Sequence, residues 1–270
     1  MEFSTLEVSL DAGVATIALN RPDKANAMSE PMWYEIEQAM EWLDSTPEAR
    51  VGVLVGRGKF FTSGIDLAML MGLGARIQDD CDGRSREKLR RLILKLQDTL
   101  SSIERCRKPV LAAVHGACIG GGIDLITACD MRYCSASAYF SVKEIDVGMT
   151  ADVGTLQRLP YLVGDGMARE LAYTGRRVEG AEAQQIRLVN RCFDTNESLH
   201  EGVMTIARSI AAKPPLAIRG CKEMLIYARD HSVADSLNYV ATWNAAMLLS
   251  TDLFEAGAAN AQKREACFKD

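Results

Sequence analysis

Apolar and polar positions alternate through LEVSLDAGVATIALN, residues 6 to 20, which predicts two strands joined at Asp11-Ala12-Gly13. The period changes in SEPMWYEIEQAMEWLDS. There Trp33, Ile36, Met40 and Leu43 recur at helical spacing, Ser29 opens the run and Pro31 sits in its first turn. VGVLVGRG is a short β-rich run ending in glycine and predicts a buried strand. The polar, glycine-bearing stretch from about 72 to 86 predicts a mobile connection. Beyond it, REKLRRLILKLQDTLSSIERC carries an apolar stripe through Leu89, Leu92, Leu96 and Leu100, the mark of an amphipathic helix.

KPVLAAVHGACIGGG predicts a strand and a glycine-rich turn, and IDLITACD a helix after them. MRYCSASAYFSVKEID returns to strand character, and from about 165 onward helical patterns dominate, one of them opened by Pro214 and Pro215. Strand–strand–helix units followed by helices predict an α/β fold with a helical tail, divided as 1–195 and 196–270.

Composition narrows the partners. The net charge of -5 gives no electrostatic reason to expect nucleic acid or an anionic membrane. The apolar run VLAAVHGACIGGGIDLITA is broken by His115, Asp124 and glycines, so it is no membrane span. Eight cysteines with no CxxC pair predict reduced thiols in a reducing compartment, and the three histidines lack ligand spacing, so no metal is expected. The first 28 residues are acidic where a transit peptide is basic, and CFKD is not a peroxisomal tripeptide. A cytoplasmic protein is the expectation.

Two segments offer backbone donors. Gly120-Gly121-Gly122 runs straight into a helix, whose first amides are free to stabilise negative charge on an oxygen. Tight strand–helix packing explains the same glycines, and the spacing is not that of a dinucleotide fingerprint. In GKFFTSGIDLAML, the Ser63-Gly64-Ile65 step supplies a second exposed amide; GRGKFF is not a phosphate loop, because no Ser or Thr follows Lys59. Candidate acids are Asp124, which has a capping role as its alternative, and Asp130, read as ending the helix or pairing with Arg132. VKEIDVGMTADVG adds Glu144, Asp146 and Asp152 among mostly apolar neighbours. Nucleophilic catalysis is unsupported, since no Gly-x-Ser-x-Gly is present.

The segments NRPDKANAMS, FFTSGIDL, KPVLAAVHGACIGGGIDLITACDMRYCSASAYFSVKEIDVGM and KREACFKD, in this order, resemble the crotonase superfamily of enoyl-CoA hydratases and isomerases. The resemblance implies a spiral of β-β-α units followed by helices that build a trimer or hexamer. It implies a thioester oxyanion hole at the amides of Ile65 and Gly121 and an adenine-binding loop over Lys24, Ala25 and Ala27. Ser63, Gly64, Ile65, Asp66 and Leu67 would follow the CoA path with Gly121 and Gly122. Lys263 and Phe268 match the tail that reaches CoA, commonly across a subunit boundary.

Hydratases of the family carry glutamates at the positions of Asp124 and Glu144, and lack the acid at Asp152. The trio, with VGMTADVGTLQRLP and YARDHSVADSLNYVATWN, resembles the Δ3,5-Δ2,4-dienoyl-CoA isomerase branch. The implied chemistry is acid/base isomerisation of 3,5-dienoyl-CoA in fatty-acid β-oxidation, with Glu144 and Asp152 as the proton-transfer pair and Asp124 in support. Which of the pair serves C2 is open. Apolar surroundings are expected to raise the acids' pKa values and the helix N-terminus to lower that of Asp124. No cofactor is implied, because CoA is part of the substrate. The alternatives are an enoyl-CoA hydratase or other isomerase, and a non-catalytic CoA- or RNA-binding member. The basic run from Arg84 to Lys95 that motivates RNA is interrupted by Glu87 and reads as a solvated helix face.

Overall fold

The computed structural model describes residues 3–269. The first hairpin pairs β1 (Leu6–Asp11) with β2 (Val14–Leu19), and its turn places Ala12 and Gly13 at φ 46° and 79°. Those left-handed values match the twist of a tight hairpin. A crossover through α1 (Glu30–Ser45) brings β3 (Val51–Gly56) parallel to β2. The sheet then extends through β4 (Val110–Val114), β6 (Met131–Ser135) and β9 (Arg191–Phe193), in the order β1-β2-β3-β4-β6-β9.

Both faces of this sheet are covered, which explains its continuous Val, Leu and Ala runs. On one side Leu54, Ile17 and Ala112 pack with Trp33, Ile36, Met40 and Leu43 of α1. On the other, Val51, Val53 and Leu111 meet Leu199, Val203 and Ala207 of α8 (Asn196–Ala211). Each such buried aliphatic contributes about 1.5–3 kcal/mol relative to exposure.

KPVLAAVHGACI forms two strands where the sequence pattern predicts one. At His115-Gly116 the chain leaves the large sheet, and β5 (Ala117–Ile119) joins β7 (Tyr139–Ser141) and β8 (Val178–Glu179) in a second sheet. Gly116 has φ +58°, and a Cβ there would collide with Lys59 O. This corner starts the passage to α4 (Gly121–Thr127).

The mobile connection expected at 72 to 86 is largely helical. The helix α2 (Leu67–Ile77) and the start of α3 (Asp82–Arg105) occupy it, leaving only 78–81 irregular. Asp66 caps α2 by accepting Ala68 N at 3.0 Å, which offsets the poor helix propensity of Gly72 and Gly74. Asp130 pairs not with Arg132 but with Lys222 Nζ at 2.9 Å, and it accepts Val110 N at 2.7 Å. Arg132 turns inward and donates to Cys129 O and Leu188 O at 2.7 and 3.0 Å. A helix the periodicity does not announce, α5 (Thr155–Val163), contains Pro160 and follows directly on the Asp152 segment.

The remaining helices are α6 (Asp165–Thr174), α7 (Gly180–Gln185), α9 (Pro215–Tyr227), α10 (Val233–Met247) and α11 (Thr251–Gln262). No helix among the described residues is long and apolar enough to cross a membrane.

Candidate active site

The three consecutive glycines have three different neighbours. A Cβ on Gly122 would lie 2.6 Å from Thr62 Cγ2, so Gly122 serves close packing. A Cβ on Gly121 would meet Met28 Sδ at 3.5 Å and Ile65 N at 3.7 Å. Gly120, at φ +53°, faces Glu144: a Cβ on it would lie 3.4 Å from Glu144 Oε1.

The partner segment is held beside them by the backbone. Thr62 N donates to Ala117 O at 2.9 Å and Ile119 N to Thr62 O at 3.2 Å. Gly64 adopts φ +87°, and a Cβ there would be 2.7 Å from Ile119 O and 3.3 Å from Gly121 N. The missing side chain is what lets Ile65 N and Gly121 N come together. Met28 N donates to Gly64 O and Asp66 N to Met28 O, while neither Ile65 N nor Gly121 N donates to a backbone carbonyl among the described residues. Two free, adjacent amides are suited to an oxygen acquiring negative charge.

Lys24, Ala25 and Ala27 lie against this segment. Ser63 N donates to Ala25 O at 3.0 Å. Ala25 and Asn26 are both left-handed, at φ 50° and 51°. Asn26 is fully buried; its Nδ2 donates to Arg57 O and Phe60 O at 2.9 and 2.8 Å, and its Oδ1 accepts Arg21 N at 2.8 Å. Asn26 lies inside the expected Lys24 to Ala27 loop, where sequence reasoning assigns it no role of its own. Its signal is an amide side chain at a bend too tight for most residues. Arg21 Nη1 bridges Ala27 O and Asp66 Oδ2 at 2.5 and 3.0 Å, and Leu67 is 60% exposed at the mouth of α2.

The acids behave differently from one another. Asp124 is the fourth residue of α4, and Gly120 holds the capping position, so the capping alternative fails. Its side chain is wholly buried, and its Oδ1 accepts Thr155 N at 2.5 Å. Burial pushes its pKa up to about 6 against the lowering effect of the Thr155 hydrogen bonds. The expected lowering by the helix terminus is therefore overturned, because desolvation of a fully buried carboxylate outweighs a partial dipole. Glu144 begins a short 3₁₀ turn over Glu144–Val147 and is raised to about 7, first by burial and then by the charge of Asp124. Asp152 is half-buried and also raised by burial.

Asp152 lines an open cavity of about 640 Å³; Asp124 and Glu144 do not, and belong to the glycine end of α4. Asp146 is exposed and pairs with Lys143, as a solvated acid should. Thr155, unmarked in the sequence, joins Asp124 to the Asp152 segment.

Lys263 and Phe268 are not brought to this site within the chain. Lys263 ends α11 in a left-handed conformation, and Phe268 O accepts from Arg50 Nη2 at 2.9 Å. Arg50 precedes β3, at the opposite end of the parallel strands from Phe61 and His115.

The sequence matches the family described as Enoyl-CoA hydratase/isomerase over residues 9–270. It is 49% identical over 270 residues to the peroxisomal Delta(3,5)-Delta(2,4)-dienoyl-CoA isomerase of Arabidopsis thaliana, covering 98% of this chain and 97% of that one. The mitochondrial Delta(3,5)-Delta(2,4)-dienoyl-CoA isomerase of Homo sapiens is 45% identical over 253 residues, 93% of this chain and 77% of that one. The crystal structure of enoyl-CoA hydratase from Bacillus anthracis superposes with a TM-score of 0.89 at 29% identity, covering 98% of this chain and 99% of that one. The spiral α/β fold expected from the resemblance is thus the fold observed. The cytoplasmic expectation is overturned: the relatives' names place them in peroxisomes and mitochondria. Free cysteines report redox conditions, not an address. With its fold, its paired amides and its full-length match, the chain belongs to the enoyl-CoA hydratase/isomerase family.

Proposed function

We propose that this chain isomerises 3,5-dienoyl-CoA to 2,4-dienoyl-CoA in fatty-acid β-oxidation. The observation that carries the reading is the grouping of three acids, Asp124, Glu144 and Asp152, where burial raises all of them. Ile65 N and Gly121 N receive the thioester oxygen. Glu144, packed on Gly120 beside that amide pair, removes the proton from C2. The electron pair of the C2–H bond moves into a dienolate whose oxygen the two amides stabilise. Asp152, eight residues on and lining the outer cavity, returns a proton at C6. Asp124 fixes the Asp152 segment through Thr155 N and raises Glu144 by its charge. Electrons only relocate within the substrate, so the step needs no metal or redox cofactor.

CoA itself takes the path from Lys24, Ala25 and Ala27 to Leu67, with Lys263 and Phe268 supplied by a neighbouring subunit. Self-association to a trimer or hexamer is supported by α10, which buries no residue of its own, and by Val233, Leu237, Leu249 and Phe254, 77%, 63%, 81% and 65% exposed. A monomer at micromolar concentration by sedimentation would remove this part.

The decisive assay compares 3,5-dienoyl-CoA with 2-enoyl-CoA. Growth of 2,4-dienoyl absorbance without water addition is expected, and Glu144→Gln should lose it. Hydration of 2-enoyl-CoA with no diene shift would return the protein to the hydratase reading.

A further inference from the structure

We propose that a polar stripe on α3, made of Gln97, Ser101 and Glu104, positions the loop that carries Asp152, with Gln97 as its principal positioning residue. The inference rests on the isomerase role given to Asp152.

Residues at i, i+4 and i+7 share one face of a helix. On α3 the neighbouring face, Leu96, Leu100 and Ile103, is buried in the core and fixes the helix in place. The polar face then reaches the loop at two points. Gln97 Nε2 donates to Asp152 O at 2.6 Å, and the carbonyl acceptor dictates which end of the amide points there. Glu104 Oε2 accepts Arg158 Nε and Nη2 at 2.8 and 2.5 Å, and Ser101 Oγ accepts Arg158 Nη2 at 3.2 Å. Arg229 Nη1 donates to Glu104 Oε1 at 2.5 Å from the other side.

Held this way, Arg158 occupies the space a Cβ on Gly154 would need, and Gly154 adopts φ +135° beneath it. On the opposite side Asp124 Oδ1 accepts Thr155 N. Residues 152 to 155 are therefore gripped at Asp152 O, at Gly154 and at Thr155 N. The 151–154 segment has no regular secondary structure, so these contacts replace the ladder or helix bonds that would otherwise fix it.

The positional demand comes from the chemistry. The Asp152 O–H bond breaks as the proton forms a bond to C6, while the double bonds move from C3 and C5 to C2 and C4. The proton taken from C2 stays on Glu144 until it exchanges with solvent, and Asp152 is reprotonated from solvent through the open cavity it lines. A carboxyl displaced by an ångström or less from C6 loses much of its rate, whereas removal of the C2 proton is untouched.

The test is Gln97→Met, which keeps side-chain volume and removes the donor, with Gln157→Met on the same cavity wall as control. In deuterated buffer two rates are read on one substrate, 3,5-dienoyl-CoA: deuterium entry at C2, and 2,4-diene formation. Gln97→Met should lower kcat for diene formation roughly tenfold with KM within about twofold, and leave C2 exchange at the parent rate. The ratio of exchange to isomerisation should rise, while Gln157→Met should match the parent in both. A parent-like ratio in Gln97→Met, or an equal fall of both rates, overturns the positioning role. A parent protein that exchanges C2 and never forms the 2,4-diene overturns the isomerase reading, and the positioning role with it.

Discussion

Asp124 and Glu144 are buried near enough that the charge of Asp124 raises Glu144, and each retains one buried oxygen, Oδ2 and Oε2, without a hydrogen-bond partner among the described residues. Two ionised carboxylates so buried repel each other, so the pair holds one proton more readily than either carboxyl alone would. Burial raises both groups, so the proton is held up to the neutral range.

Asp124→Asn should therefore act on both rate and stability. The neutral amide removes the charge that helps raise Glu144, so the rising limb of C2 exchange against pH, set by Glu144 ionisation near 7, should move to lower pH. For stability, the folded-state pKa of Asp124 lies above its ordinary 3.8, at about 6. Its contribution is fully present below the unfolded value and is lost as pH rises through about 6. Asparagine can still accept Thr155 N, so the variant should gain on the order of 2 kcal/mol over the parent at pH 8 and nothing at pH 4. Urea midpoints at the two pH values check this, and a loss at pH 8 would contradict it.

Asp152→Asn should reduce 2,4-diene formation by at least about 10²-fold, because the amide cannot give a proton to C6. Binding of CoA should be unchanged in calorimetry, and C2 exchange should persist through Glu144. Isomerisation at the parent rate would remove Asp152 from the mechanism.

The sequence made the hairpin, the α1 stripe and the strand-to-α4 passage legible, because period and glycine placement are local properties. Leu89, Leu92, Leu96 and Leu100 announced α3 in the same way, but only Leu96 and Leu100 of the four are buried. The other face of that helix, with Gln97, was hidden because its partner lies 55 residues away. Asp130 misled for the same reason: Arg132 is adjacent in sequence, whereas Lys222 is adjacent in space. The strand-to-helix passage in GKFFTSGIDLAML was legible, but residues 72–77 read as connection because Gly72 and Gly74 weaken the helical pattern, and no residue of α2 is buried to reinforce it. Gly120, Gly121 and Gly122 looked alike in sequence and separated only when their neighbours were known.

Gly64→Ala tests the amide pair. The residue is at φ +87°, and the added methyl would lie 2.7 Å from Ile119 O, so the backbone must move and carry Ile65 N with it. Loss of one oxyanion donor costs about 10²–10³ in kcat. Both C2 exchange and isomerisation should fall together by that order, unlike the split expected for Asp152→Asn. A variant that exchanges C2 at the parent rate would place the oxygen elsewhere.

Lys222→Met tests the attachment of α9 to the core. The Lys222 ammonium is almost fully buried and donates to Ile103 O and Lys108 O at 3.1 Å each and to Asp130 Oδ2 at 2.9 Å. Methionine fills the volume but leaves two carbonyls and a carboxylate without their cation. Breaking one side of a buried pair costs about 3–5 kcal/mol. The Asp130 side chain is 25% exposed and keeps Val110 N, so the loss should sit near the lower end. Adding Asp130→Asn removes the stranded charge and should recover part of the stability, giving a double-mutant coupling above about 1 kcal/mol in urea denaturation. Additive losses from the two substitutions would mean that Lys222 acts through packing rather than charge.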